Sequence, residues 1–308
     1  MVDRTTEQQH QQDQAWTIRR LLEWTTTWFA GRHVEGGRLA AELLLAHAMG
    51  CAKIQLYTRI DEEPSDEQRA AFRELVRKAG AHTPIAYLLG RREFFSLEFE
   101  VTPSVLIPRP ETETLAQRMI SLCREDAQRT FQVLDLGAGS GCVAVAIARY
   151  APNAKVTAVD VSADALAVAG RNVQRHGLGE RVRLVEADGL DLSADAVPAG
   201  GFDAIVTNPP YVSETQWQEL PPHIREHEPK AALVPPDGEG LSMYRRLAAE
   251  AGRVLRGGGT LLAEIGAGQL EPVRQIFADA GGWSWVGSHR DPTDPHERVV
   301  EFQRADTR

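Results

Sequence analysis

Asn208-Pro209-Pro210-Tyr211 closes an apolar run, Phe202 to Thr207, whose residue types predict a buried strand. Two consecutive prolines cannot continue a ladder, so the chain must leave the sheet there with a stiffened backbone and unpaired carbonyls. An Asn amide, free carbonyls and an aromatic face at the carboxyl end of a strand can grip a planar group that carries NH2. Asn-Pro alone is otherwise a plain turn that leaves a strand.

A second set lies upstream. Gly137-Ala138-Gly139-Ser140-Gly141 follows the apolar run Phe131 to Leu136 and precedes a stretch of small and apolar residues from Cys142 to Tyr150. Three glycines let the backbone turn sharply and approach a ligand without Cβ obstruction, while the following helix presents its first N–H groups. Such a turn is shared with dinucleotide-binding proteins, and a packing loop without a ligand has the same look. Asp160 separates these readings. It ends the next strand, 19 residues past Gly141, placed to accept both ribose hydroxyls of an adenosine ligand. A nucleoside-bearing cofactor is implied.

These groups need a sheet to position them. The sequence predicts strands at Phe131–Leu136, Lys155–Val159, Arg181–Glu186, Phe202–Thr207, Gly259–Ile265 and Val299–Phe302, and a weaker one at Trp283–Ser288. Helical patterns separate them, as at Ala163–His176. Alternation of this kind predicts an α/β fold with a largely parallel sheet covered by helices on both faces. Ahead of the sheet, Phe95, Leu97, Phe99 and Val101 alternate with polar residues and predict a strand within a hairpin. Helical spacing marks Trp16–Ala30, Arg38–Met49 closed by Gly50, and Ser65–Ala79, with Ser65 as cap and Gly80 as stop.

Composition limits the function classes. The 308 residues carry a net charge of −9, which argues against a protein whose main affinity comes from neutralising a phosphate backbone. Cys51, Cys123 and Cys142 contain no CxxC pair, which fits reduced thiols in the cytoplasm better than a disulfide framework or a zinc site. Cys142, though beside the glycine turn, reads as a packing residue. His33, His47 and His82 have no ligand spacing, and no metal site is expected. Met1 to Ala15 lack the basic start and apolar stretch of a signal peptide and read as a disordered tail. No apolar run is long enough to span a bilayer.

Asp135-Leu136-Gly137-Ala138-Gly139-Ser140-Gly141 resembles motif I of the class I S-adenosylmethionine-dependent methyltransferases, since its third glycine comes one residue too early for GxGxxG. The resemblance implies S-adenosyl-L-methionine as cofactor, held by Gly137 to Gly141, Asp160, Asp188, Gly189 and Asn208, with Asp188 at the adenine amino group. An aromatic residue often follows that acid, and here the position is Gly189, so stacking must come from elsewhere, with Leu190 as a candidate. Asn208 to Tyr211 resembles the signature of relatives that methylate a planar NH2, on a nucleobase or on a glutamine amide. There the Asn208 side-chain oxygen and the Pro209 carbonyl are implied to accept the two N–H bonds, with Pro210 and Tyr211 against the planar group.

From about Trp16 to the last strand, the chain resembles the HemK/PrmC-type peptide chain release factor glutamine methyltransferases. The specific part is Ile107-Pro108-Arg109-Pro110-Glu111-Thr112-Glu113, joined by Tyr87 to Gly90, Glu228-Pro229, Asp237-Gly238 and Glu264-Ile265-Gly266 with Gln269. In that family the segment lies over the cofactor cleft, which makes Arg109 and Glu111 candidates for shaping the substrate site. The implied organisation is a helical substrate-recognition domain (16–90), a hairpin linker (91–108) and a doubly wound methyltransferase domain (109–308). The implied reaction is N5-methylation of the glutamine in the Gly-Gly-Gln motif of release factors, by a monomer with no stable nucleic-acid or membrane partner. A glutamine of a large-subunit ribosomal protein, the amino group of adenine or cytosine, and cofactor binding without catalysis are the alternatives.

Overall fold

A computed structural model describes residues 15–291 and 294–306. The expected tail, 1–15, lies outside these residues apart from Ala15. Contacts divide the chain into two units between Leu89 and Gly90.

In the first unit, α1 (Ile18–Ala30), α2 (Gly37–Met49), α3 (Lys53–Thr58), α4 (Asp66–Gly80) and α5 (Ile85–Leu89) enclose Leu22, Phe29, Leu44, Leu45 and Leu56. Ser65 caps α4 as its position predicts, accepting from the Gln68 N–H, and Gly50 at φ 62° closes α2. Gly80 has a different role from the stop expected of it. It is the last residue of α4, and a Cβ there would run into the Trp28 ring, so packing requires the glycine. The helices α3 and α5, of 6 and 5 residues, are too short for periodicity to reveal.

The second unit opens with an antiparallel hairpin, β1 (Arg91–Phe94) and β2 (Leu97–Glu100). Alternation places Phe95 inside a strand; instead Phe95 and Ser96 form the turn, with φ of 53° and 58°. Two central residues at positive φ match the twist of the flanking strands but strain side chains that carry a Cβ. Neighbours hold the strained pair in place. The Phe95 N–H donates to Glu113 at 2.8 Å, its carbonyl accepts from the Tyr150 hydroxyl at 3.1 Å, and the Phe95 and Tyr150 rings lie 5.1 Å apart.

Seven strands follow: β3 (Phe131–Leu136), β4 (Ala154–Asp160), β5 (Val182–Glu186), β6 (Phe202–Thr207), β7 (Leu255–Glu264), β8 (Trp283–His289) and β9 (Val299–Arg304). Their spatial order is β5-β4-β3-β6-β7-β9-β8, parallel except for β9, which runs against both its neighbours. This is the α/β, mostly parallel, doubly wound sheet that the alternation predicts. Side chains alternate between two cores. Val133, Ala204 and Val206 pack with α6 (Glu113–Glu125) and α7 (Cys142–Tyr150), while Leu134 and Ile205 pack with α11 (Ser242–Glu250) and α12 (Leu270–Ala280). The chain also forms α8 (Ala163–Arg175), α9 (Glu214–Glu219) and α10 (Pro222–Arg225).

From β3 the chain steps outward through β4 to β5, then returns to the other side of β3 as β6. The order therefore switches between β3 and β6, where Leu136 lies opposite Thr207. Open α/β sheets place ligands at the carboxyl ends of strands at such a point. Gly137 and Asn208 follow these two residues, so both halves of the predicted site begin side by side.

Asn172, on α8 and wholly buried, ties the hairpin to the glycine turn. Its Oδ1 accepts from the Glu100 N–H at 2.7 Å, and its Nδ2 donates to the carbonyls of Glu100 at 3.0 Å and Ser140 at 2.9 Å. Leucine has similar volume but leaves these backbone groups unpaired in the core, at ~1–3 kcal/mol each. Asn172→Leu is thus expected to cost about 3 kcal/mol or more of stability, read from the denaturant midpoint. A loss below about 1 kcal/mol would show that water can replace the amide.

Candidate active site

A cavity of about 800 Å³ opens at the switch point. Its volume falls in the range of small-molecule sites, roughly 300–1,000 Å³. Gly137, Ala138, Gly139, Ser140, Asp160, Asp188, Gly189, Asn208, Pro209, Pro210 and Arg109 all line it. Three predicted residues, Gly141, Glu111 and Tyr211, are absent from its lining.

Gly137 and Gly139 sit at φ 75° and 54°, and a Cβ on Gly139 would meet no atom within 4 Å, so the loop leaves open the space a ligand would take. Asp160 braces this loop. Its Oδ2 accepts from the Gly139 N–H at 2.8 Å and its Oδ1 from the Ser162 N–H at 2.9 Å, and the remaining lone pairs are free for hydroxyl donors. Gly141 serves packing, since a Cβ there would lie 3.1 Å from that of Ala169 on α8. Asp135, near the end of β3, is buried and accepts from the Ala144 N–H in the first turn of α7 at 3.1 Å. Burial pushes its carboxyl up to about 7 against the pull of that bond, and Asp160 adds to the rise. Burial also raises the Cys142 thiol to about 12, in keeping with an inert packing residue.

Across the cavity, the Asn208 Nδ2 donates to the Thr112 hydroxyl at 3.1 Å. The Tyr211 ring turns away and packs on Gly266, where a Cβ would lie 3.2 Å from it, and its hydroxyl donates to Glu264 Oε1 at 3.3 Å. Gln269 fixes the Tyr211 backbone by donating to its carbonyl at 3.0 Å while accepting from the Gly266 N–H at 2.9 Å. The buried Glu228 carboxylate pins the segment over the site, taking the Arg109 guanidinium at 2.6 Å and the Ile107 N–H at 3.1 Å. Glu111 lies off the cavity, near enough to Glu264 to push its pKa up.

Glu264 is 2% exposed, and burial raises its carboxyl to about 7; the Thr112 and Tyr211 hydroxyls and Arg298 pull it down. The folded protein therefore holds this proton more tightly than the unfolded chain does. The resulting stabilisation is full below about pH 4.5 and is lost as pH rises through about 7. Glu264→Gln has no such proton to lose, so between pH 5 and 8 it is expected to gain on the wild type by on the order of 2–3 kcal/mol. Unfolding curves at both pH values measure this, and parallel pH dependences would show that Glu264 titrates as an ordinary acid.

At the far end of the cavity, Arg246 on α11 donates to the Asp188 carboxylate at 2.9 Å and to the Asp188 carbonyl at 3.2 Å. A Cβ on Gly189 would lie 3.3–3.5 Å from three atoms of that guanidinium, which thus fills the space of the missing side chain. Leu190 is buried and also lines the cavity.

Sequence reading misses Thr112, Asn172 and Arg246 as participants, and gives Glu228, Glu264 and Gln269 no role. Thr112 falls inside the Ile107–Glu113 segment; the other two have no local signal.

Residues 20–90 match the family model described as PrmC N-terminal domain, and residues 112–223 match the Methyltransferase small domain. The release factor glutamine methyltransferase of Rhodopirellula baltica is 43% identical over 296 residues, covering 95% of this chain and 98% of that protein. That of Geobacter sulfurreducens is 42% identical over 268 residues, covering 86% and 90%. Among solved structures, the hMettl16 catalytic domain in complex with MAT2A 3'UTR hairpin 1 has a TM-score of 0.53 at 16% identity, covering 74% of this chain and 80% of that one, a likeness of fold alone. With such identity sustained over nearly the whole length of these relatives, the chain belongs to the release factor glutamine methyltransferase family.

Proposed function

We propose that this protein transfers a methyl group from S-adenosyl-L-methionine to the side-chain nitrogen of the glutamine in the Gly-Gly-Gln motif of peptide chain release factors. The observation that carries this reading is one cavity lined by both the glycine turn with Asp160 and the Asn208-Pro209-Pro210 acceptor loop. The family membership supplies the substrate class.

The cofactor, when bound, supplies an electrophilic methyl group on a sulfonium. Gly137 to Ser140 and Asp160 would hold its amino-acid and ribose portions, and Asp188 and Gly189 its adenine. An amide nitrogen is a poor nucleophile because its lone pair is delocalised into the carbonyl. Orientation must therefore lower the barrier. Asn208 Oδ1 and the Pro209 carbonyl accept the two N–H bonds, turning the lone pair toward the methyl group. As the new N–CH3 bond forms and the methyl–sulfur bond breaks to leave a neutral thioether, positive charge grows on the nitrogen, and the same fixed acceptors stabilise it. Release of one N–H proton to solvent gives the neutral methylated amide. Pro210 stiffens the loop, and Tyr211 anchors it from behind through Glu264 rather than by facing the amide. Arg109, held by Glu228, shapes the mouth, and Glu111 adds charge beside it.

In this reading residues 16–90 recognise the protein substrate, 91–108 connect, and 109–308 catalyse, as a monomer in the cytoplasm. Among the described residues no helix is long and apolar enough to cross a membrane, and no group of His, Cys, Asp or Glu is arranged to hold a metal ion. The test is to incubate the protein with labelled cofactor and a panel of release factor, large-subunit ribosomal protein and duplex DNA, and to map the label by mass spectrometry. Label is expected on the Gly-Gly-Gln glutamine. Its absence there, with the cofactor bound, would refute the reading; label on the ribosomal glutamine or on a base amino group would transfer the assignment to that substrate.

A further inference from the structure

Which end of the Asn208 amide faces the cavity is decided by side chains behind it. Its Nδ2 donates to Thr112 Oγ1 at 3.1 Å, and Thr112 is 3% exposed, in the 3-10 turn Pro110–Thr112 that leads into α6. The Thr112 hydroxyl also bears on the Glu264 carboxyl at the end of β7. Glu264 Oε2 itself has no hydrogen-bond partner among the described residues.

A hydroxyl has one hydrogen and two lone pairs, whereas a side-chain NH2 only donates and an ionised carboxylate only accepts. The Asn208 Nδ2 therefore takes a Thr112 lone pair, and the Thr112 hydrogen can turn to Glu264 when that group is ionised. Tyr211 donates to the same carboxylate from the other side, at 3.3 Å, and so does not reverse the direction. With its N–H end held by Thr112, Asn208 must turn its oxygen toward the cavity. Flipped, it would set NH2 against the NH2 of the substrate, donor against donor.

We infer that Thr112 is a positioning residue that keeps the Asn208 oxygen, and not its nitrogen, toward the substrate amide. This rests on the glutamine-methylating reading above for its kinetic consequence, but not for the hold itself. Thr112 does not touch the reacting atoms; it acts through Asn208.

Thr112→Val keeps the shape and removes the hydroxyl, and Thr112→Ser restores it. The valine variant is expected to lose about 30-fold or more in kcat, with KM and Kd for S-adenosyl-L-methionine within about twofold of wild type. The serine variant is expected to recover kcat to within about threefold of wild type. If valine does not fold, Thr112→Ala carries the same expectation. A readout without substrate separates the inference from the reading on which its kinetics rest. In the wild type the Asn208 side-chain NH2 should exchange slowly with solvent by NMR, and this protection should vanish in the valine or alanine variant and return with serine. A valine variant with kcat within about threefold of wild type, a serine variant as impaired as valine, a parallel fall in cofactor affinity, or unchanged amide protection would each overturn the role of Thr112. Wild-type protein that binds the cofactor and labels no glutamine would overturn the reading of function instead, with the exchange measurement still deciding whether Thr112 holds Asn208.

Discussion

Asn208→Ala is expected to lower kcat by about 10³-fold while leaving the affinity for S-adenosyl-L-methionine within about threefold. In the proposed reaction the substitution removes a fixed acceptor for a nitrogen that becomes positive only as the reaction proceeds, so the loss falls on the transition state more than on binding. Removing one preorganised hydrogen-bonding group of this kind from an active site typically costs ~10²–10³ in rate. Here the intrinsic weakness of the amide nucleophile leaves orientation with more of the barrier to lower. The cofactor side of the cavity is built by separate elements, the β3–α7 turn and the end of β4, which the alanine does not disturb. Single-turnover methylation and calorimetric titration of the cofactor give the two quantities. An alanine variant with full kcat would reduce Asn208 to a loop residue.

The second large effect is expected at Asp160. Asp160→Ala should weaken cofactor binding by about 100-fold, since two charge-assisted hydrogen bonds to ribose hydroxyls are worth ~1.5–3 kcal/mol each and part of that returns through water. The carboxylate also accepts the N–H groups of Gly139 and Ser162 and so holds the glycine turn open. Asp160→Asn separates these two roles, because its single remaining acceptor oxygen can serve the backbone or the ribose but serves both less well. Titration should therefore rank wild type tightest, Asn intermediate and Ala weakest. Equal affinities for Asp and Ala would place the ribose elsewhere in the cavity.

The strands were legible because buried parallel strands are short apolar runs, and Phe131–Leu136 and Phe202–Thr207 appear in the fold with the bounds their residues predict. The glycine turn and Asp160 were legible for a local reason, since each is defined by its position at a strand end. The Phe95-Ser96 turn was not, because its left-handed backbone is held by Glu113 and Tyr150, which lie 18 and 55 residues away. Asn172 was invisible for a related cause: an Asn on a helix reads as a solvated residue until the Glu100 and Ser140 backbones, 72 and 32 residues away, arrive to use both ends of its amide. The sequence put Tyr211 in the loop but could not aim its ring, which turns toward Glu264 and Gly266 at the end of β7. Local chemistry names what a residue can do, and long-range packing decides which way it faces.

The guanidinium over Gly189 makes positions 189 and 246 a single epistatic unit. Side-chain volume that most loops would supply from within is here lent by a helix, through Arg246 and its bonds to Asp188, 58 residues earlier in the chain. Gly189 also holds a left-handed backbone at φ 60°, so a larger residue there meets two obstacles, the strain of a Cβ at that φ and the guanidinium 3.3–3.5 Å away, and shortening 246 relieves only the second. Scanning 189 alone would therefore read backbone strain and contact together, whereas the same scan in a background shortened at 246 reads the strain by itself.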